Sequence, residues 1–536
     1  MLACYPRPRS GSVPEWPKGA GCKPVGIAYG GSNPPRPTTQ TLPLTIARTL
    51  PLTPEATVTT ADPDRADPDR ADPDRADPDR AAPAFSAQGF DPAAVKAFHY
   101  VGFALDLADG QLRCHYRLDG LEFVEHIRFA PLPDAPASVA SAADRAARLV
   151  FLVAGVSYYK AAAPPLIDFG DHPLTPAEAT MLRAFYLDGL GEFAYSNGLD
   201  LRDLMFHYTS TAPEPVATGV HLDRPLVPFG GGIDSIVTVD EVRQIHADTA
   251  LFILSRMGDR FAAIEAAARE TGLPVLRAER ELDAKVLRSR ELGFRNGHVP
   301  VTGILSAIAT LIAVLHGRGA VVMSNEWSAS SGNLEVDGRT INHQYSKSAE
   351  FETLLRAALA DQFTDGPEYF SLLRPYSELA IARRFAKLTN YHRVFRSCNR
   401  AFQLDPAKRH ATWCGVCDKC CFIDLILAPF VAAADLRAVF GGREPLENPD
   451  TIGSFRTLLD IGHEPKPFEC VGEVSECRAA LQRAAARPDR TGSPMLEALL
   501  RELDGRELDD EAINALLVPI GADHIPDSYA PRHLVG

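Results

Sequence analysis

The chain has 536 residues, 46% hydrophobic and 23% charged, a globular balance too long for a single core. Its 55 Lys and Arg against 69 Asp and Glu give a net charge of −14, which excludes broad charge-driven binding to nucleic acid or an anionic membrane. A collagen-like or wholly disordered chain is excluded too, and ten cysteines are too few for a disulfide framework.

Residues 1–84 are expected to form a disordered tail. Pro and Gly are dense from 6 to 54, and 61–80 is four copies of Ala-Asp-Pro-Asp-Arg, with no side chain able to build a core. One encoding of Gly31-Ser32-Asn33-Pro34 coincides with the T-arm consensus of a transfer RNA gene, so the true start codon is expected downstream. The N-terminus lacks the basic-then-apolar pattern of a secretory signal. The longest apolar run, 303–315, falls short of the roughly 20 residues a bilayer crossing needs. A cytoplasmic protein is expected.

Residues 98–106, 112–118 and 121–129 are rich in aromatic and branched side chains. Asp109-Gly110 and Asp119-Gly120 separate them, the pattern of an antiparallel meander. An Ala-rich helix is predicted at 138–155. Another opens at Thr175-Pro176-Ala177-Glu178, a capping box with Pro at the first helical position, and stops at Asn197-Gly198. Residues 85–215 therefore read as a smaller α+β domain. Within it, Gly155-Val156-Ser157-Tyr158-Tyr159-Lys160 is either a polar-ligand site or an amphipathic rim around a helix end.

Short apolar runs at 226–229, 251–254, 273–276 and 320–323 alternate with helical patterns, including 260–271 and 302–316. That alternation predicts an α/β domain over 216–430, a parallel sheet with helices on both faces and ligands at the carboxyl ends of its strands. Residues 431–536 read as a helical region with no chemical motif.

Two motifs carry chemistry. Phe229-Gly230-Gly231-Gly232-Ile233-Asp234-Ser235 follows the first predicted strand and opens a helix, so backbone N–H groups can cradle a phosphate. It lacks the Gly-Lys-Ser/Thr ending of a Walker loop and the spacing of dinucleotide binders. It resembles the Ser-Gly-Gly-x-Asp-Ser loop of the ATP-pyrophosphatase superfamily, enzymes that split ATP into AMP and pyrophosphate while adenylating a substrate. Gly230 stands where that loop has its leading Ser. Downstream, Cys414, Cys417 and Cys420 stand at two-residue spacing, with Cys398 before them. Four thiolates suffice for a tetrahedral structural zinc; the trio could also hold an iron–sulfur cluster, but the Cys-Pro ending of ferredoxin runs is absent. Cys421 is left to pack in the core. The pattern resembles the zinc site of 7-cyano-7-deazaguanine synthases, members of the same superfamily.

A wider resemblance rests on residues 230–240 (GGGIDSIVTVD), Ser324-Asn325-Glu326-Trp327-Ser328, Asn342-His343-Gln344-Tyr345-Ser346-Lys347-Ser348 and residues 413–430. From about residue 90 to near the C-terminus the chain resembles the UDP-N-acetyl-α-D-muramoyl-L-alanyl-L-glutamate epimerase family. The resemblance implies ATP- and Mg2+-dependent inversion of the terminal L-glutamate of a UDP-muramoyl dipeptide, with release of AMP and diphosphate. Removing an α-proton beside a free carboxylate would build a second negative charge; adenylation removes the first. Pyridoxal phosphate could not substitute, because the glutamate nitrogen is already acylated. His343, Tyr345 and Lys347 are candidate proton carriers, with Glu326 following a strand end. An extended segment would put the three on one side, and Lys347 could equally bind a phosphate. The alternatives are another adenylating reaction, on a nucleobase or tRNA, and a zinc-bearing nucleotide sensor without turnover. No nucleic-acid or membrane partner is expected.

Overall fold

The computed structural model describes residues 85–534 apart from 87–88, 337, 404 and 463–467, so the tail expected over 1–84 lies outside the described residues. Ten strands form one sheet: β1 (Ala97–Asp106), β2 (Gln111–Leu118), β3 (Leu121–Phe129), β4 (Leu166–Asp168), β5 (Met205–His207), β6 (His221–Pro228), β7 (Ala250–Arg256), β8 (Val275–Glu281), β9 (Arg318–Met323) and β10 (Glu368–Ser371). Their order is β10-β9-β6-β7-β8-β3-β2-β1-β4-β5. The run from β10 to β8 is parallel. β3, β2 and β1 form the predicted antiparallel meander, and β4 and β5 add in parallel beyond it.

The two regions expected on either side of residue 215 share this sheet. β8 pairs antiparallel with β3, Ala278 opposite Phe129 and Glu281 opposite His126. β8 also runs five residues past its predicted end, because its second half is charged and hidden from an apolar pattern. The splice is held by a fully buried bidentate pair, Arg280 to Glu125 at 2.6 and 2.9 Å, and Arg280 donates to Ser157 as well at 2.9 Å. Such a pair is costly to break from one side, because the survivor is a buried bare charge.

β7, the second half of β6 and residues 320–323 of β9 read as continuous apolar runs because both their faces are covered. Leu226, Phe252, Leu254 and Val321 enter one core, beneath helices Ala137–Ala154 and Val301–Leu315. Val227, Leu251, Ile253 and Val322 enter the other, with helices Ile233–Arg243, Glu378–Phe385 and Asp418–Leu427. The long apolar run at 303–315 is a helix buried on every side. No helix among the described residues is long and apolar enough to cross a membrane. The meander alternates instead, its inner face (Phe98, Tyr116, Phe123) in the first core.

Two local expectations are corrected. Residues 156–160 are neither rim nor open ligand site: Tyr158, Tyr159 and Lys160 are buried, and Lys160 donates to Asn296 Oδ1 and Gly297 O, both at 3.1 Å. The helix opened by the Thr175 capping box ends at Leu187, and a second, Gly191–Asn197, reaches the predicted stop at Gly198 (φ 63°). The break turns Glu192 towards His343. Residues after 430 are helical as expected, from Ala433–Val439 through Val474–Ala485 to Asp510–Ala515.

Candidate active site

β6 has β9 on one side and β7 on the other, so the sheet's winding reverses there, the position at which such sheets place ligands at their strands' carboxyl ends. The glycine loop fills that position, leading from β6 into helix Ile233–Arg243. Gly231 has φ +70°, and a Cβ there would stand 3.2 Å from Ile264 Cα, so any other residue would be strained and crowded. Asp234 occupies the first helical turn and Ser235 Oγ donates to Gly232 O at 3.1 Å. Free N–H groups and the helix dipole make this end receptive to anions.

Asp234 does not stand alone. Glu326, just past β9, and Glu378, opening the helix after β10, each bring a carboxylate oxygen within 4.8 Å of Asp234 and of one another. Glu326 and Glu378 are each 4% exposed. Burial, and next the Asp234 charge, pushes Glu378 well above the usual carboxylate range. Three crowded oxygen donors fit a hard divalent cation, which would relieve the repulsion. Lys419 reaches the same space from helix Asp418–Leu427. Burial opposes its charge, but Glu378 and Asp234 outweigh burial and hold the amine above its ordinary value.

Next to this group lies the 342–348 segment, which is a tight 3-10 turn over Tyr345–Lys347 rather than an extended strand. The turn separates the three expected carriers. Tyr345 faces the first core, its ring centroid 6.2 Å from that of Phe351. Burial, then the Glu350 and Asp188 carboxylates, raises its hydroxyl far above the usual phenol value. Lys347 points the other way, Nζ donating to Gln344 Oε1 at 3.0 Å and to Cys470 Sγ at 3.2 Å. His343 is buried, with Nδ1 on Glu192 and its ring centroid 4.3 Å from that of His298. Arg374, itself buried beside Glu352 (2.9 Å), donates to Glu326 O at 3.0 Å and Lys347 O at 2.6 Å, tying the acidic group to the turn.

Burial lowers His343, but Glu192 overcomes it and brings the imidazole up to about 9. Burial, and then the His343 charge, takes His298 down to about 4. At neutral pH His343 is therefore cationic and His298 neutral. A raised folded value means this pair's stabilisation is complete below the ordinary imidazole value, about 6.5, and disappears as pH rises through about 9. If the imidazolium is the working form, activity falls along the same limb. In Glu192→Gln that limb should move towards lower pH in a kcat/KM profile; an unmoved limb would detach His343 from turnover.

The cysteine set assembles as expected. Cys417 Sγ and Cys414 Sγ lie 3.5 and 3.7 Å from Cys420 Sγ, the Cys414 N–H points at Cys398 Sγ at 3.4 Å, and all four sulfurs are within 4.8 Å of one another. Four thiolates about 2.3 Å from one tetrahedral zinc would stand about 3.8 Å apart, so the spacing suits a single ion. Cys421 is buried in the second core. The cluster also touches the site: Arg396 N donates to Gly231 O at 3.0 Å, and Lys419 sits beside Cys420.

Sequence reasoning reached the loop, Glu326, His343 and Lys347 but missed Glu378, Glu192, Lys419 and Cys470. Lys419 lay in plain view inside the cysteine motif, and Glu378 followed a capping Ser377. Nothing local marks Glu192 or Cys470.

Two family models match, described as the MurL N-terminal domain over residues 89–372 and the MurL C-terminal domain over 394–514. Three curated relatives carry the name UDP-N-acetyl-alpha-D-muramoyl-L-alanyl-L-glutamate epimerase. That of Micromonospora sp. is 41% identical over 81% of this chain and 97% of the relative. That of Salinispora tropica is 39% identical over 81% and 94%, and that of Xanthomonas oryzae pv. oryzae 37% identical over 83% and 98%. No solved structure matches. The chain belongs to the MurL epimerase family.

Proposed function

We propose that the chain inverts the terminal L-glutamate of UDP-N-acetylmuramoyl-L-alanyl-L-glutamate to D-glutamate, a cytoplasmic step in making peptidoglycan precursors. The observation that carries this reading is that a glycine loop opening a helix, three clustered carboxylates and, tied to them through Arg374, the turn bearing His343 and Lys347 come together at the strands' carboxyl ends. An adenylating epimerase needs those three parts side by side: somewhere to hold a triphosphate, somewhere to hold its cation, and groups to move a proton.

In this reading the loop is of the ATP-pyrophosphatase type. Gly230, Gly231 and Gly232 present N–H groups to phosphate, Asp234 and Ser235 stand in the first turn of the helix they lead into, and Lys419 balances the anionic leaving group. Asp234, Glu326 and Glu378 would hold Mg2+, which supplies charge neutralisation at the phosphates. Activation of the α-carboxylate as an acyl-adenylate lets the α-carbanion delocalise into an uncharged acyl group. His343 is then a group that exchanges a proton with the α-carbon, and Lys347 adds a positive charge beside Cys470. Cys398, Cys414, Cys417 and Cys420 would hold a structural zinc that braces the helix carrying Lys419. The test is direct: the muramoyl dipeptide nucleotide, incubated with enzyme, ATP and Mg2+, should yield D-glutamate on hydrolysis together with AMP. An all-L product refutes the reading.

A further inference from the structure

We infer that Cys470 is a catalytic residue of this site, exchanging the substrate's α-proton on one face of the α-carbon while His343 serves the other. The inference rests on the epimerase reading above. Cys470 belongs to the region after residue 430, which the sequence left without chemistry, yet segment 468–470 packs against the site residues. Phe468 has its ring centroid 6.2 Å from that of His343. Glu469 accepts from Asn399 Nδ2 at 2.8 Å. The Cys470 carbonyl accepts from Lys419 Nζ, and its sulfur lies 3.2 Å from Lys347 Nζ.

The other thiols among the described residues differ. Cys114, Cys421 and Cys477 are buried in the cores, and four more form the metal cluster. Cys470 is partly exposed and stands among charged side chains. Among the described residues, Lys347, Lys419, His343, His298 and Glu469 are titratable groups that interact with it. A thiol against an ammonium is stabilised as thiolate, the form that takes a proton. As an imidazolium paired through Nδ1 with Glu192, His343 also carries a proton on Nε2.

The step balances with no further reactant. The Cα–H bond breaks as the thiolate forms S–H, and the electron pair moves into the activated carbonyl. The His343 imidazolium then loses its Nε2 proton as a new Cα–H bond forms on the opposite face. The pair ends as thiol and neutral imidazole, and exchange with water resets it.

The test uses the full-length enzyme and reads activation and inversion separately. Cys470→Ser should keep substrate-dependent exchange of pyrophosphate into ATP within a few-fold of wild type. Its inversion and α-deuterium uptake should fall by about 10²–10⁴-fold. A second readout is independent of turnover: the pH midpoint for iodoacetamide labelling of the Cys470 peptide should rise in Lys347→Gln and return in Lys347→Arg. Inversion at the wild-type rate in Cys470→Ser overturns the assignment. So does loss of pyrophosphate exchange in step with inversion, or a labelling midpoint that ignores Lys347. Failure of the wild type itself to invert would instead refute the epimerase reading.

Discussion

Asp234→Asn should reduce substrate-dependent pyrophosphate exchange by about 10²–10³-fold, the scale of losing one well-placed electrostatic group at a reacting centre. Its Tm should barely change, because Asp234 belongs to neither hydrophobic core and stands in the first turn of the helix that the glycine loop opens. Glu378→Gln provides the sharper contrast. In the free protein three carboxylates repel one another, and Glu378 is held well above its ordinary value, first by burial. A folded value raised in this direction costs stability at neutral pH, so a neutral amide should raise the Tm measured in EDTA while exchange is lost. Full exchange activity in both variants would remove the phosphate-loop assignment.

Loss of the metal proposed for the four cysteines should be the most damaging change to the fold. Structural zinc contributes about 10–16 kcal/mol of apparent binding energy in small zinc peptides, comparable to the whole stability of a domain. Purified protein should carry about one zinc per chain, and Cys417→Ser should lose it with a large drop in Tm. Exchange activity should fall as well, since the Cys398 segment bonds Gly231 and the cluster's helix carries Lys419. Iron and sulfide in place of zinc would reassign the site, and a metal-free wild type of unchanged Tm would leave the four thiols without a role.

What the sequence could reveal divides along a physical line. The meander was legible because β1–β3 bury one face and alternate accordingly. The parallel strands were legible because β6, β7 and β9 bury both. The capping box at Thr175 and the stop at Gly198 were local chemistry, and both formed. The β8–β3 splice was invisible: it depends on a Glu125–Arg280 pair far apart in sequence, and its strand ends in charges. The same holds for the site. The glycine loop and cysteine set are short motifs whose parts are neighbours in the chain. Glu192, Glu378 and Cys470 come from three separate elements and acquire meaning only beside His343, Asp234 and Lys347. Periodicity also misjudged Tyr345, because a 3-10 turn replaces the two-residue repeat on which one-sided placement depended.

The central claim is that the α-carbon loses and regains a proton only after its carboxylate has been activated. Turnover of UDP-N-acetylmuramoyl-L-alanyl-L-glutamate in heavy water, stopped early and read by mass spectrometry of the released glutamate, addresses it directly. Deuterium should appear at the α-position of the D-product, and only when ATP and Mg2+ are both present. Inverted product without solvent label, or label acquired without ATP, would contradict the account.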